Sequence, residues 1–207
     1  MDMKMSQADM QSLMSRLMRL IRLDTTVFDE VRLDASTTLP SLIVAAVSIF
    51  LSGIGGWLWW VIASDFNTGS GDILLKSAVL GSVFAFGLWI AWVLITYVLL
   101  TQMFRAQADI QQLMRTMGMA MVPLALTVLM LVPEVSFGIG VAAIALTFGL
   151  STMAVQAATN ASPAQVLIAN IAGLAVWAVV LTILAGDLVS RDINIYAPGV
   201  FIFGTLS

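Results

Sequence analysis

The sequence predicts an all-α integral membrane protein: a five-helix transmembrane bundle preceded by amphipathic interfacial helices at the N-terminus. Three observations predict it. Five apolar stretches approach or reach the roughly 20 residues that cross a hydrocarbon core of about 30 Å. The chain is 60% hydrophobic and 10% charged, with a mean hydropathy of +1.00, whereas a soluble domain is about half apolar and a quarter charged. Its 207 residues include no histidine and no cysteine. The first two observations place the chain in lipid. The third removes the usual haem and zinc ligand, the neutral-pH proton shuttle, and the thiolate of nucleophilic, iron–sulfur and disulfide chemistry.

Residues 1–36 read as a segment outside the bilayer. Charged and polar residues are spread from Met1 to Arg22 with no apolar core and cleavage site, so no secretory signal is expected. Met10, Leu13, Met14, Leu17 and Ile21 recur at helical steps, while Ser12, Ser15, Arg16, Arg19 and Arg22 point elsewhere. An apolar stripe opposite a basic face predicts a helix lying at the membrane surface. A shorter amphipathic helix follows, with Val27, Phe28 and Val31 beside Asp29, Glu30 and Arg32.

Residues 37–186 hold the predicted spans: Leu39 to Ala63, Ser77 to Thr101, Met117 to Val132, Val135 to Ala157, and Ala164 to Ala185. The third is the shortest and can be lengthened backwards through Met114. Pro133-Glu134 permits only a tight turn before the fourth. Asn160-Ala161-Ser162-Pro163 breaks the fourth from the fifth, with Ser162 as N-cap and proline at the first helical position. Before the third span, Ile110, Leu113, Met114 and Met117 form another stripe, with Arg105, Asp109, Gln111 and Gln112 off it. Leu13, Met14, Leu17, Ile110, Leu113, Met114 and Met117 are therefore candidate interface residues, because flexible methionine suits adaptable contacts. The alternative is that both stripes rest on lipid or on the bundle itself.

Seven Lys and Arg flank one set of span ends (Lys4, Arg16, Arg19, Arg22, Arg32, Arg105, Arg115), against Lys76 and Arg191 on the other. The excess predicts a cytoplasmic N-terminus and, with five spans, an extracytoplasmic C-terminus in the plasma (inner) membrane. Trp57, Trp59 and Trp60 fall where an outer aromatic belt is expected. Trp89, Trp92 and Trp177 lie within spans as packing or lipid-facing residues. The tail, residues 187–207, carries Ile193, Tyr196, Pro198, Phe201 and Phe203, and is expected against the outer membrane face or a neighbouring subunit.

Candidate polar residues at membrane depth are Asn170 and Gln156; such groups are functional candidates, although most form interhelical hydrogen bonds. Small residues four apart mark close helix contact: Ser52/Gly56, Gly81/Ala85, Gly138/Ala142, Ala145/Gly149 and Ala169/Gly173. Two pairs in line make the fourth span the expected central helix. No metal-ligand cluster, phosphate loop or activated nucleophile is present in the sequence, so no cofactor, metal or catalysis is expected. A net charge of −3 does not point to nucleic acid.

Several phrases together resemble bacterial Yip-domain membrane proteins. These are the stretch from Leu20 through Asp24, Val27 and Phe28 to Val31, the glycine-rich Ile54-Gly55-Gly56, and Leu113-Met-Arg115-Thr-Met-Gly118-Met-Ala120 leading to Pro123. The resemblance covers roughly Met18 to Ala185 and implies a five-helix bundle without a known catalytic site. Eukaryotic relatives bind Rab GTPases, which a bacterial member would lack. One stretch departs: Val155 to Asn160 is uncharged where the family often has an arginine–x–alanine–x–aspartate phrase. The function expected is a non-catalytic scaffold or accessory subunit of a larger membrane assembly, respiratory or photosynthetic assemblies being fitting hosts. Its partners would be lipid and other membrane subunits. The alternatives are a small transporter or lipid-handling protein with a cavity near Asn170 and Gln156, and a membrane-shaping protein that uses the Met10 to Ile21 wedge.

Overall fold

The computed structural model describes residues 7–63 and 74–189. Two short helices, α1 (Gln7–Ile21) and α2 (Val27–Leu33), and a 3-10 turn (Ala35–Thr37) precede α3 (Thr38–Ala63). The second span runs from a π segment (Leu75–Leu80) through α4 (Gly81–Val98) to another (Leu99–Met103). Then come α5 (Ile110–Met119), a 3-10 stretch (Val122–Leu131), α6 (Pro133–Ala158) and α7 (Pro163–Val189). Among the described residues there is no β-strand, and five helical segments are long and apolar enough to cross a membrane. The predicted fold class is thus the observed one. The tail beyond Val189 lies outside the described residues, as do the side chains of Trp60 and Lys76.

The helix boundaries follow from local chemistry. Asp109 caps α5 by accepting from Gln112 N at 2.9 Å. Ser162 and Gln165 form the far half of a capping box, with Ser162 N donating to Gln165 Oε1 at 3.0 Å before Pro163 opens α7. α1 ends in a Schellman turn: Leu23 N donates to Leu20 O at 2.9 Å and Asp24 N to Arg19 O at 3.0 Å.

The short third span has an unexpected solution. As an α-helix, Met117 to Val132 would rise only about 24 Å. With Val122–Leu131 in 3-10 geometry, at about 2 Å per residue, the same residues rise about 29 Å. Pro123, at the start of the stretch, removes one α-type donor there. The narrower helix also brings its backbone close to α3. A Cβ at Gly55 would overlap the Thr127 carbonyl oxygen and lie 2.8 Å from Val128 Cα.

This third span is the central one. Of its apolar window 67% is buried, against 39% for the fourth, and it packs on α3, α6 and α2 while α4 pairs with α7. The sequence expectation of a central fourth span is therefore corrected. Gly138, Ala142, Ala145 and Gly149 are exposed on α6, and a Cβ at Gly138 or Gly149 would meet nothing within 4 Å. The face of α6 that packs carries Ala143, Thr147, Leu150, Ser151 and Ala154. Close helix contacts come from Gly55, Gly118 and Gly173 instead. Trp89, Trp92 and Trp177 are all buried, with the last two rings 6.3 Å apart.

Candidate functional site

Polar groups collect in two places: deep between α4, α6 and α7, and on the end of the bundle that carries α1 and α2, here the N-terminal face. The deep group centres on Asn170, which is fully buried. Its Oδ1 accepts from Trp92 Nε1 at 2.9 Å, and its Nδ2 donates to Ser151 Oγ and Thr152 Oγ1, both at 2.8 Å. Both hydroxyls donate onward to the Phe148 carbonyl at 2.9 Å. One turn from Trp92, Thr96 Oγ1 donates to the Ala169 carbonyl at 3.4 Å. Gly173 admits the Trp92 ring, since a Cβ there would overlap Cδ1 of the indole. Asn170 is spent on binding three helices together. The adjoining void, between Trp92, Thr147 and Trp177, is only about 10 Å3, room for about one water.

Gln156 lies elsewhere, at the α6–α7 turn, where its Nε2 donates to the Ala161 carbonyl at 2.9 Å. Asn170 and Gln156 thus have separate hydrogen-bond partners. One residue works deep in the bundle and the other closes a turn.

The candidate interface stripes are also redistributed. Leu113 and Met117 are buried, and Ile110 and Met114 pack on the same core. On α1, Leu13 and Leu17 pack beside Leu20 against Val27, Phe28, Met119 and Leu150. Met14 does not; it stands exposed with Met10, Met18 and Ile21. A single stripe in the sequence is two lines in space, one gripping the bundle and one facing outward. The buried residues of α2, Val27, Phe28 and Val31, seat that helix on the bundle and not on lipid.

The basic face of α1 is largely neutralised within the chain. Arg16 Nη2 lies 3.1 Å from Asp34 Oδ2, and Arg19 lies 2.8 Å from Asp24 and 2.7 Å from Glu30. Arg19 Nη2 also donates to Thr26 Oγ1 at 2.8 Å. These pairs clamp α1 to α2. The signal for them was present as acidic residues at 24, 30 and 34, but the partners meet only after the chain turns back. Arg115, a flanking charge in the sequence, is 6% exposed and donates from Nε to the Gln111 carbonyl at 3.1 Å.

The Asp24 carboxyl is held at about 2, first by the Thr26 hydroxyl, then by Arg19 and the Thr26 amide. A depressed carboxyl pKa adds stability above its ordinary value, near 3.8, and that stability fades as pH falls towards about 2. Thr26→Val is expected to move the Asp24 titration up towards the ordinary value, read from the side-chain carboxyl carbon by NMR. An unchanged midpoint would remove Thr26 as the main cause.

Between these clamps and the helix ends is a polar bowl of about 400 Å3, lined by Arg32, Gln107, Asp109, Gln112, Thr159 and Asn160 among others. Its wall is pinned. Gln107 N donates to Asn160 Oδ1 at 2.7 Å, Asn160 N to Gln107 O at 3.4 Å, and Ala108 and Thr159 form an antiparallel bridge. Arg32 Nε lies 3.3 Å from Asp29 Oδ1, a charge pair without hydrogen-bond alignment, because the same Nε has no hydrogen-bond partner.

Comparison with family models, curated proteins and solved structures gives no match.

The geometry is then the guide to function. Among the described residues no three histidine, cysteine or carboxylate side chains converge as a metal site. What the arrangement offers chemically is hydrogen bonding and charge on the N-terminal face, and apolar contact along the spans.

Proposed function

We propose that this chain is a non-catalytic integral membrane scaffold or accessory subunit of the bacterial Yip-domain kind, with its N-terminal face in the cytoplasm. The observation that carries the reading is how the polar groups divide. The Asn170 cluster at depth is consumed by contacts within the chain, whereas the bowl on the N-terminal face is pinned, charged and open. A preformed polar surface on a rigid base suits recognition of a partner, because little ordering is left for binding to impose. The stretch where this chain departs from the family's charged phrase contributes Thr159 and Asn160 to that bowl. Partner choice in this chain would then differ from that of its charged counterparts.

The test is mild-detergent purification of the tagged protein, paired with a photo-crosslinker at Gln112. A stoichiometric partner chain and a discrete Gln112 crosslink are expected, and both should vanish in Thr159→Arg, which fills the bowl. A lone monomer with no crosslink would overturn the proposal.

Membrane shaping is a second reading, favoured by the exposed line of Met10, Met14, Met18 and Ile21 on α1. It requires tubulation of liposomes that is lost when residues 1–22 are deleted.

A further inference from the structure

A second hollow of about 350 Å3 runs down the side of the bundle, between the turn that ends α1, the 3-10 stretch and α6. Every residue lining it is apolar, among them Ile21, Leu23, Leu126, Leu129, Leu146 and Leu150. From Pro123 to Leu129 it follows the 3-10 helix for about 12 Å, close to one leaflet's share of a 30 Å core. The hollow is an apolar slot along the span, and it suits an extended hydrocarbon chain. The slot opens sideways, with Leu126 43% and Leu129 51% exposed.

Its upper lip is unusual. Leu23 occupies the left-handed position of the Schellman turn, with φ of 60°. Glycine or asparagine is the ordinary residue there. Leucine is held against its backbone preference, and what it supplies in return is an apolar wall for the slot. Strain of this kind points to use. Beside it stands Arg22. Arg16 and Arg19 are taken up by Asp24, Glu30 and Asp34. Arg22 is exposed and has no ion pair among the described residues. Arg22, without an ion pair among the described residues, thus sits in the turn between Ile21 and Leu23, two residues that line the slot.

We propose that this chain holds one anionic phospholipid from the leaflet on its N-terminal side, with one acyl chain in the slot and the phosphate on Arg22. A guanidinium suits a phosphate because its planar donors match two oxygens at once. Zwitterionic lipid can offer the same chain and phosphate, but its added cation weakens the attraction to arginine. The occupant should therefore be selected by net charge.

The experiment is native mass spectrometry of the full chain in mild detergent, titrated with phosphatidylglycerol or phosphatidylcholine of equal chain length. The wild type is expected to retain one phosphatidylglycerol in preference to phosphatidylcholine. Arg22→Gln should reduce that preference about fivefold, the effect of one basic group near an anionic surface. Leu126→Trp, at an exposed position that tolerates bulk, should abolish retention of both lipids with helix content unchanged by circular dichroism. Equal retention of the two lipids by the wild type would overturn the proposal, and so would undiminished retention in Leu126→Trp. A lipid-free dimer that Leu126→Trp dissociates would assign the slot to a second copy of the chain, and would equally overturn it.

Discussion

Gly55→Val is expected to be the most damaging single substitution in the bundle, lowering stability by roughly 3 kcal/mol. The position is buried, and the new Cβ would fall on the Thr127 carbonyl and 2.8 Å from Val128 Cα. The obstacle is backbone, which cannot rotate aside as a side chain can. Either α3 moves away from the 3-10 stretch, opening the close contact between the two, or the stretch leaves its geometry. Thermal unfolding in detergent measures the loss. Gly138→Val is the control, because a Cβ there meets nothing within 4 Å, and its midpoint should stay within a degree or two. Equal effects at the two positions would refute the close-approach account.

Asn170→Leu is the second large effect, about 2 kcal/mol. The substitution removes the acceptor of Trp92 Nε1 and the donor to Ser151 and Thr152. It leaves an indole N–H buried without a partner. Bonds of this type in membrane bundles average less than 1 kcal/mol each, so three bonds and one orphaned donor account for the sum. A double-mutant cycle with Trp92→Phe isolates the indole bond. The double variant should be less destabilised than the two single losses added together, because Phe has no donor to strand. Strict additivity would mean that the bond contributes nothing. If Asn170 instead lined a transport path, its replacement would abolish flux at unchanged stability, the opposite pattern.

The five spans were legible because length and polarity alone decide them; four observed helices extend the expected ones by a few residues, and the third span starts at Ile110 instead of Met117. Which face of a span meets protein was not legible. In water, the apolar face of a helix is the buried face. In lipid, both faces are apolar and that signal vanishes. The small residues of α6, at 138, 142, 145 and 149, therefore pointed to a buried helix and turned out to face outward. Gly173 was identified by the same rule and is buried, because there a bulky neighbour, Trp92, fills the space. Spacing found which residues share a face, and only the partner decides what that face does. Asn170 was visible as a polar group at depth. Its partners were not, because Trp92 lies 78 residues away in sequence and is brought near only by the pairing of α4 with α7. The charge clamp on α1 was hidden for a similar reason. A basic helical face reads as a surface for anionic lipid until Asp24, Glu30 and Asp34 fold back onto it.

The extended third span bears on how the whole protein meets its bilayer. α3 and α7 have 26 and 27 residues, about 39 Å of helix each, and can lean to fit a thinner layer. The third span sits in the middle, and its apolar run reaches about 29 Å only because it is already drawn out. Enclosed by neighbours, it has little freedom to lean. The innermost span, the one drawn out in 3-10 geometry, then acts as the gauge of membrane thickness. A thicker bilayer would strain the molecule first at its centre, where Gly55 and Thr127 meet.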